Sequence, residues 1–350
     1  MKILNKIKQF YQNVFISILP SSTQTFVYVS IEKNKKSNVI HKESFNTSSS
    51  NKALEEYVNR YTQITPLFYV AVFCNVKEQG AISSCSHNEL EKFTDISTSI
   101  TICSDNRWSA FASIKEVDDV NSTYKAFGLD YLISPFSIIE TFFHEKIDSG
   151  IAIYALILED CIYTSIYKES KLLYAHRGDF DDIEEQNSHE DEDGDKSTTS
   201  MDFDLETMDF DDEFHLDDIE MIDDFDNLDD LSNIEDLDSA DDLDEFEQNE
   251  TPETSVDLDS DPSSAKDSLA NLDLNFKRFL IIQDSLKSFY SNPNYDSQFI
   301  EQIYTADAIH CSDEFKSYLE DELFLTVYSR TIDINSTMVD MTRQEVRDAS

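Results

Sequence analysis

Residues 150–178 read GIAIYALILEDCIYTSIYKESKLLYAHRG. β-branched and aromatic side chains are dense, IAIYALIL is apolar without a break, and KES punctuates the run before KLLYAH. The stretch therefore predicts a strand, a turn and further strand, buried rather than half-solvated.

The same signals continue on either side. TFVYVSIEKNKKSNVIHKESFN predicts two antiparallel strands around a Lys/Asn turn, and NKALEEYVNRYTQI a helix with Ala53, Leu54, Tyr57, Val58 and Tyr61 on one face. PLFYVAVFC and WSAFASI read as strands and HNELEKF as a short helix. KEVDDVNSTYKAFG reads as a helix stopped at Gly128, a residue free to adopt positive φ. LDYLISPF is extended and SIIETFFHEKI helical. Nearer the C-terminus, SLANLDLNFKRFLIIQDSLKSFY predicts a long helix and FIEQIYTADAIH a strand with its turn. SDEFKSYLEDEL then predicts a helix and FLTVYSRTIDI a closing strand. This alternation predicts an α/β fold with mixed sheets.

Charge divides the chain. Of the formal net charge of −45, a local −37 arises between Asp179 and Asp261, where 38 acids face the single base Lys196; the remainder carries an ordinary −8. Within this stretch Leu216, Ile219, Ile222, Phe225, Leu228, Leu231, Ile234, Leu237, Ala240, Leu243 and Phe246 recur every third residue. A step of three rotates 300° on a helix, so the apolar stripe winds around the cylinder and makes no face. Residues 179–263 are thus expected as a disordered acidic insert. Lengthening a connection from about 5 to about 85 residues costs roughly 2.5 kcal/mol of closure entropy, so one fold can carry the insert. A calcium loop is opposed by His189 and Ser200 at the first and twelfth positions of HEDEDGDKSTTS. The sign of the field opposes nucleic-acid binding.

The five cysteines, Cys74, Cys85, Cys103, Cys161 and Cys311, form no C-x-x-C pair and are expected as reduced thiols in a cytoplasmic protein, not as metal ligands. No apolar run approaches the roughly 18 to 20 residues of a membrane span. MKILNKIKQFYQNVFISILP instead predicts an amphipathic helix over residues 1–20. Ile3, Leu4, Ile7, Tyr11, Val14, Phe15 and Ile18 lie on its apolar side, and Lys6 and its neighbours on the polar one. Such a helix could dock on its own domain, on a partner or peripherally on a membrane.

The order of elements, clearest in WSAFASIKEVDDVNSTYKAFGLDYLISPFSIIETFF and in FIEQIYTADAIHCSDEFKSYLEDELFLTVYS, resembles the PilM/GspL-type actin-like cytoplasmic assembly proteins of type IV pili and type II secretion systems. The resemblance covers roughly 230 residues on weak motifs. It implies an actin-like (ribonuclease H-like) fold of two subdomains, residues 24–149 and residues 150–178 with 264–335, followed by a C-terminal tail at 336–350. Actin-like ATPases hold nucleotide on Asp-x-Gly turns, because backbone must approach phosphate closely there. The corresponding positions are sought at Ser30 and Glu32 in VSIEKNKKS, at Ala155 and Ile157 in IYALILED, and in YTADAIHCS. None has Gly, and no Gly follows Gly194. The nucleotide motifs are therefore degenerate, and no cofactor, metal or catalytic residue is assigned. HEKID at His144 lacks the second His of a zincin helix.

Taken with the resemblance, these features imply a non-enzymatic scaffold of an inner-membrane pilus, type II secretion or DNA-uptake platform. It would be cytoplasmic, peripheral at the inner membrane, and would bind a bitopic inner-membrane assembly protein, with a homodimer left open. Two alternatives stand beside it: an active actin-like ATPase with atypical phosphate turns, and an acidic tether that captures a basic partner.

Overall fold

The computed structural model describes residues 11–33, 36–47, 52–148, 150–183, 262–293, 295, 298–311 and 313–348. The described elements, apart from residues 262–265, belong to one compact unit, Met1–Glu192 with Lys266–Ser350. The insert and its apolar stripe lie outside the described residues.

The quoted stretch forms a three-strand meander, β9 (Ile151–Ile157), β10 (Cys161–Lys168) and β11 (Lys171–Asp179). It holds two turns where the sequence suggested one: LED is as tight a reversal as KES. β9 and β10 are antiparallel, Ile157 facing Ile162, and β10 runs antiparallel to β11. β12 (Gln302–Asp307) adds parallel to β9, and β13 (Thr326–Thr331) parallel to β12. The order is β11-β10-β9-β12-β13.

A second sheet has the same plan. β1 (Asn13–Pro20) is central, β2 (Gln24–Lys33) and β3 (Lys36–Asn46) follow antiparallel on one side, and β4 (Phe68–Phe73) and β8 (Leu129–Ile133) lie parallel on the other. The order is β3-β2-β1-β4-β8. Two sheets of one topology in one chain are the actin-like, ribonuclease H-like arrangement, here an α/β fold of two subdomains. A smaller sheet, β5-β7-β6, is built from β5 (Gln79–Ile82), β6 (Ser99–Ser104) and β7 (Trp108–Ser113).

Helices cover both large sheets. α1 (Lys52–Thr62) buries Leu54, Tyr57, Val58 and Tyr61 against Val14, Ile16, Ile18 and Val29. α2 (His87–Leu90) is a single turn between β5 and β6, and α3 (Ile114–Tyr124) ends in a 3-10 turn and Gly128, which takes φ 74°. α4 (Pro135–Phe142), started by its N-terminal proline, packs Phe136 and Ile139 on the face of the second sheet that presents Tyr154, Leu156 and Tyr163. The opposite face, Ile153, Ala155, Ile157 and Ile162, receives α5 (Pro262–Ser291) and α6 (Asp313–Leu323) through Phe279, Ile282, Phe289, Phe315 and Leu319. α5 comes so close to β11 that a Cβ on Gly178 would stand 2.4 Å from Ile281 Cγ2.

Three expectations are corrected. Residues 13–20 are strand, not helix: Val14, Phe15 and Ile18 are all buried, because a central strand covered on both faces is apolar throughout and matches helical spacing by coincidence. Ile3, Leu4, Lys6 and Ile7 lie outside the described residues, and Tyr11 is exposed on a bend. The expected tail is helix α7 (Ile334–Asp348), whose Met338 and Val339 pack against both subdomains. Cys85 and Cys103 are joined as a disulfide. Strand pairing explains it: Ser109 in the middle strand of the small sheet faces both Ile82 and Cys103, so the chain leaving β5 carries Cys85 to within 5.4 Å Cα to Cα of Cys103.

Candidate functional site

The internal repeat fixes which turns face each other. The β9–β10 reversal, Leu158 to Asp160, is closed by the Leu158 N–H donating to the Cys161 carbonyl at 3.0 Å. Its equivalent in the first sheet is the β1–β2 reversal, Pro20 to Gln24, closed by the Ser21 N–H on the Gln24 carbonyl at 2.8 Å. The two meet across the cleft: Ser21 Oγ donates to Glu159 Oε2 at 2.5 Å and Thr23 Oγ1 to Glu159 Oε1 at 3.5 Å. A carboxylate held by two hydroxyls occupies the ground between them. Neither turn has glycine, and Glu159 and Asp160 add negative charge where phosphate would have to approach.

Ser30 and Glu32, expected at the first turn, lie instead within β2, past the β1–β2 reversal. They face the last helix: Arg343 pairs with Glu32 at 2.5 Å and its Nη2 donates to Ser30 Oγ at 3.3 Å, while the guanidinium sits over the Phe15 ring. Beside them the Ser17 hydroxyl donates to the Asn335 backbone carbonyl at 2.9 Å. Ala155 lies within β9 and Ile157 ends it; both are fully buried and precede the turn itself. The third sought turn closes on itself, the buried Asp307 carboxylate accepting from Ile309 N–H at 2.9 Å and Cys311 N–H at 2.5 Å. His144 is exposed just beyond α4, away from these turns.

A second contact ties the subdomains behind the cleft. Tyr163 on β10 donates to Asn75 Oδ1 at 2.9 Å and accepts from Gln79 Nε2 at 3.0 Å and Arg177 Nε at 3.1 Å. Arg177 also pairs with Asp179 at 2.5 Å with its side chain only 5 % exposed. Burial raises the carboxyl of Asp179 above the usual carboxylate range, opposed by the charge of Arg177. Burial likewise pushes the Cys74 and Cys161 thiols beside this network up to about 12, which leaves them protonated and unreactive at neutral pH. Among the described residues no group of three His, Cys, Asp or Glu is placed to hold a metal ion.

A third feature lies apart from the cleft. β6 is the edge of the small sheet, with Ile102 64 % and Ile100 43 % exposed. Beside it a cavity of about 190 Å³ is lined by Ile100, Ile102, Phe111, Ala112, Val117 and Leu132. The edge offers unpaired backbone groups and the cavity offers side-chain pockets, which together suit an extended apolar segment. Sequence reading missed Ser21, Thr23, Glu159 and this edge. LED in the opening stretch was the one available signal for Glu159.

Two subdomains of one topology, meeting through turns that bond to each other, define an actin-like fold without glycine at the two facing turns. The chain belongs to the family DUF8341, a domain of unknown function, which residues 153–347 match; residues 10–140 match a second domain of unknown function, DUF8569. No curated protein matches it. Among solved structures it is similar to a Bacteroides thetaiotaomicron protein with actin-like ATPase fold and unknown function, at 9 % identity over 94 % of this chain and 96 % of that one, TM-score 0.44. It is also similar to the PilM–PilN type IV pilus biogenesis complex, at 9 % identity over 90 % of this chain and 87 % of that chain, TM-score 0.48. A third similarity is to the ethanolamine utilization protein EutJ from Carboxydothermus hydrogenoformans, at 7 % identity over 93 % and 86 %, TM-score 0.40. No helix among the described residues is long and apolar enough to cross a membrane.

Proposed function

We propose that this chain is a non-enzymatic scaffold of an inner-membrane pilus, secretion or DNA-uptake platform, and that it binds the cytoplasmic segment of a bitopic membrane protein. The observation that carries the non-enzymatic part is the Glu159 carboxylate bound by Ser21 and Thr23 between the two turns. Phosphate transfer needs donors preorganised around the transferring group, and here the donors already hold an anion of the protein's own. The partner part rests on the sequence resemblance and on the β6 edge, where an extended segment gains backbone hydrogen bonds and seats apolar side chains beside Ile100 and Ile102.

Crosslinked pull-down of the full chain from its native cells, compared with an Ile102→Asp variant, tests this reading. The expected result is a bitopic inner-membrane assembly protein recovered with the wild-type chain and lost with the variant. Recovery of soluble basic proteins alone, equal in both, overturns it and moves the function to the acidic segment.

A further inference from the structure

The cleft holds a cation with no counter-charge bonded to it among the described residues. Arg278 on α5 lines a cavity of about 530 Å³ between the subdomains, together with Ser21, Glu159, Asp160 and His310. It is 8 % exposed. Its Nη1 donates to Asn275 Oδ1 at 2.7 Å and its guanidinium lies over the Phe315 ring, while its Nε is buried without a hydrogen-bond partner. No ion pair among the described residues includes it. Asp307, the buried carboxylate at the end of β12, uses its oxygens on the Ile309 and Cys311 N–H groups.

A guanidinium is costly to bury unpaired, and its fork of donors matches the oxygens of one acid group. The geometry points to Arg278 as the anchor of a binding site for a small mono-acid, a molecule whose single carboxylate or phosphate pairs with Arg278 inside this cavity. Glu159 and Asp160 on the same cavity set the second half of the specificity. They repel a ligand with several negative charges and favour a remainder that is uncharged or carries an amine. This site is independent of whatever docks along β6. It is also a different demand on the cleft from that of a polyphosphate, which needs cradles at the two turns.

The test is thermal unfolding of the full chain in acetate, inorganic phosphate or tripolyphosphate, each against chloride at equal ionic strength. A ligand that binds only the folded state raises the midpoint by mass action. With acetate or phosphate at tens of times its dissociation constant, the wild-type midpoint should rise by about 3 °C or more. The acetate and phosphate arms tell a carboxylate site from a phosphate site, and tripolyphosphate should give the smaller response. Arg278→Met should lose the rise and Arg278→Lys keep part of it; the Lys variant carries the comparison if the Met variant does not fold. The absence of a rise in the wild-type chain with both mono-acids overturns the inference. An equal rise in wild type and the folded variants, or a larger rise with tripolyphosphate, does the same.

Discussion

The β1–β2 and β9–β10 turns hold equivalent places in sheets of the same order, yet one presents the hydroxyls of Ser21 and Thr23 and the other the carboxylate of Glu159. In an actin-like ATPase both turns would serve one ligand between them. Here they are complementary to each other. The difference teaches that a repeated topology preserves where two turns meet and leaves what they exchange to a handful of side chains. Behind the turns, contacts that no nucleotide requires hold the halves together: Asn75 and Gln79 with Tyr163 and Arg177 on one side, and Arg343 with Glu32 on the other.

The largest effect should come from breaking the buried contact between the halves. Arg177→Met removes the 3.5 Å bond from Arg177 Nη2 to Asn75 Oδ1 across the halves, strands Asp179 and strips a donor from Tyr163, and should cost about 3 to 5 kcal/mol in urea unfolding. Adding Asp179→Asn should restore part of that loss, since the uncompensated charge is then gone. An Arg177→Met chain as stable as wild type would show that the halves do not depend on this contact.

Next in size is the small sheet. The Cys85–Cys103 bond spans 18 residues, and replacing both cysteines with serine should cost about 2 to 3 kcal/mol by chain-entropy reasoning. Hydrogen exchange should rise first at β6, leaving β9 and β10 protected. Uniform loss of protection would mean that the small sheet and the second large sheet open as one unit.

The turns themselves should contribute little to stability. Ser21→Ala with Thr23→Val removes two exposed hydrogen bonds and should cost under about 1 kcal/mol, measured by the same urea titration. A cost of several kcal/mol would make the contact between the turns a structural keystone instead of a minor surface contact.

The smallest expected effect is on pH dependence. His176 on β11 is held below its ordinary value of 6.5 by burial. The unfolded chain therefore binds the proton more readily, so this residue's contribution is complete above 6.5 and is lost as pH falls through the depressed folded value. His176→Asn should flatten the stability profile in that acidic window. An unchanged slope would place its origin elsewhere.

How much of this could be read from residues depends on where each signal sits. The second sheet was legible because IAIYALIL is too continuously apolar for anything but a buried strand, and α5 because its 3.6-residue pattern is long. Central β1 failed on the same rule: Val14, Phe15 and Ile18 are buried from both sides, which erases the period of two that marks a strand. The first turn, at Ser21–Thr23, was sought at Ser30 and Glu32, whose partner Arg343 lies over 300 residues away in a segment expected as tail. The disulfide was hidden because its cysteines meet only through the register of β7. The lack of glycine at the sought turns, by contrast, was visible at once, since composition needs no three-dimensional context.

The most direct test of the central claim is calorimetric titration of the full chain with Mg-ATP. Turns that bond to each other predict no saturable heat up to about 1 mM nucleotide, which is weaker than roughly 4 kcal/mol of binding. Saturable binding in the micromolar range, abolished by Ser21→Ala, would contradict the account and restore the cleft as a nucleotide site.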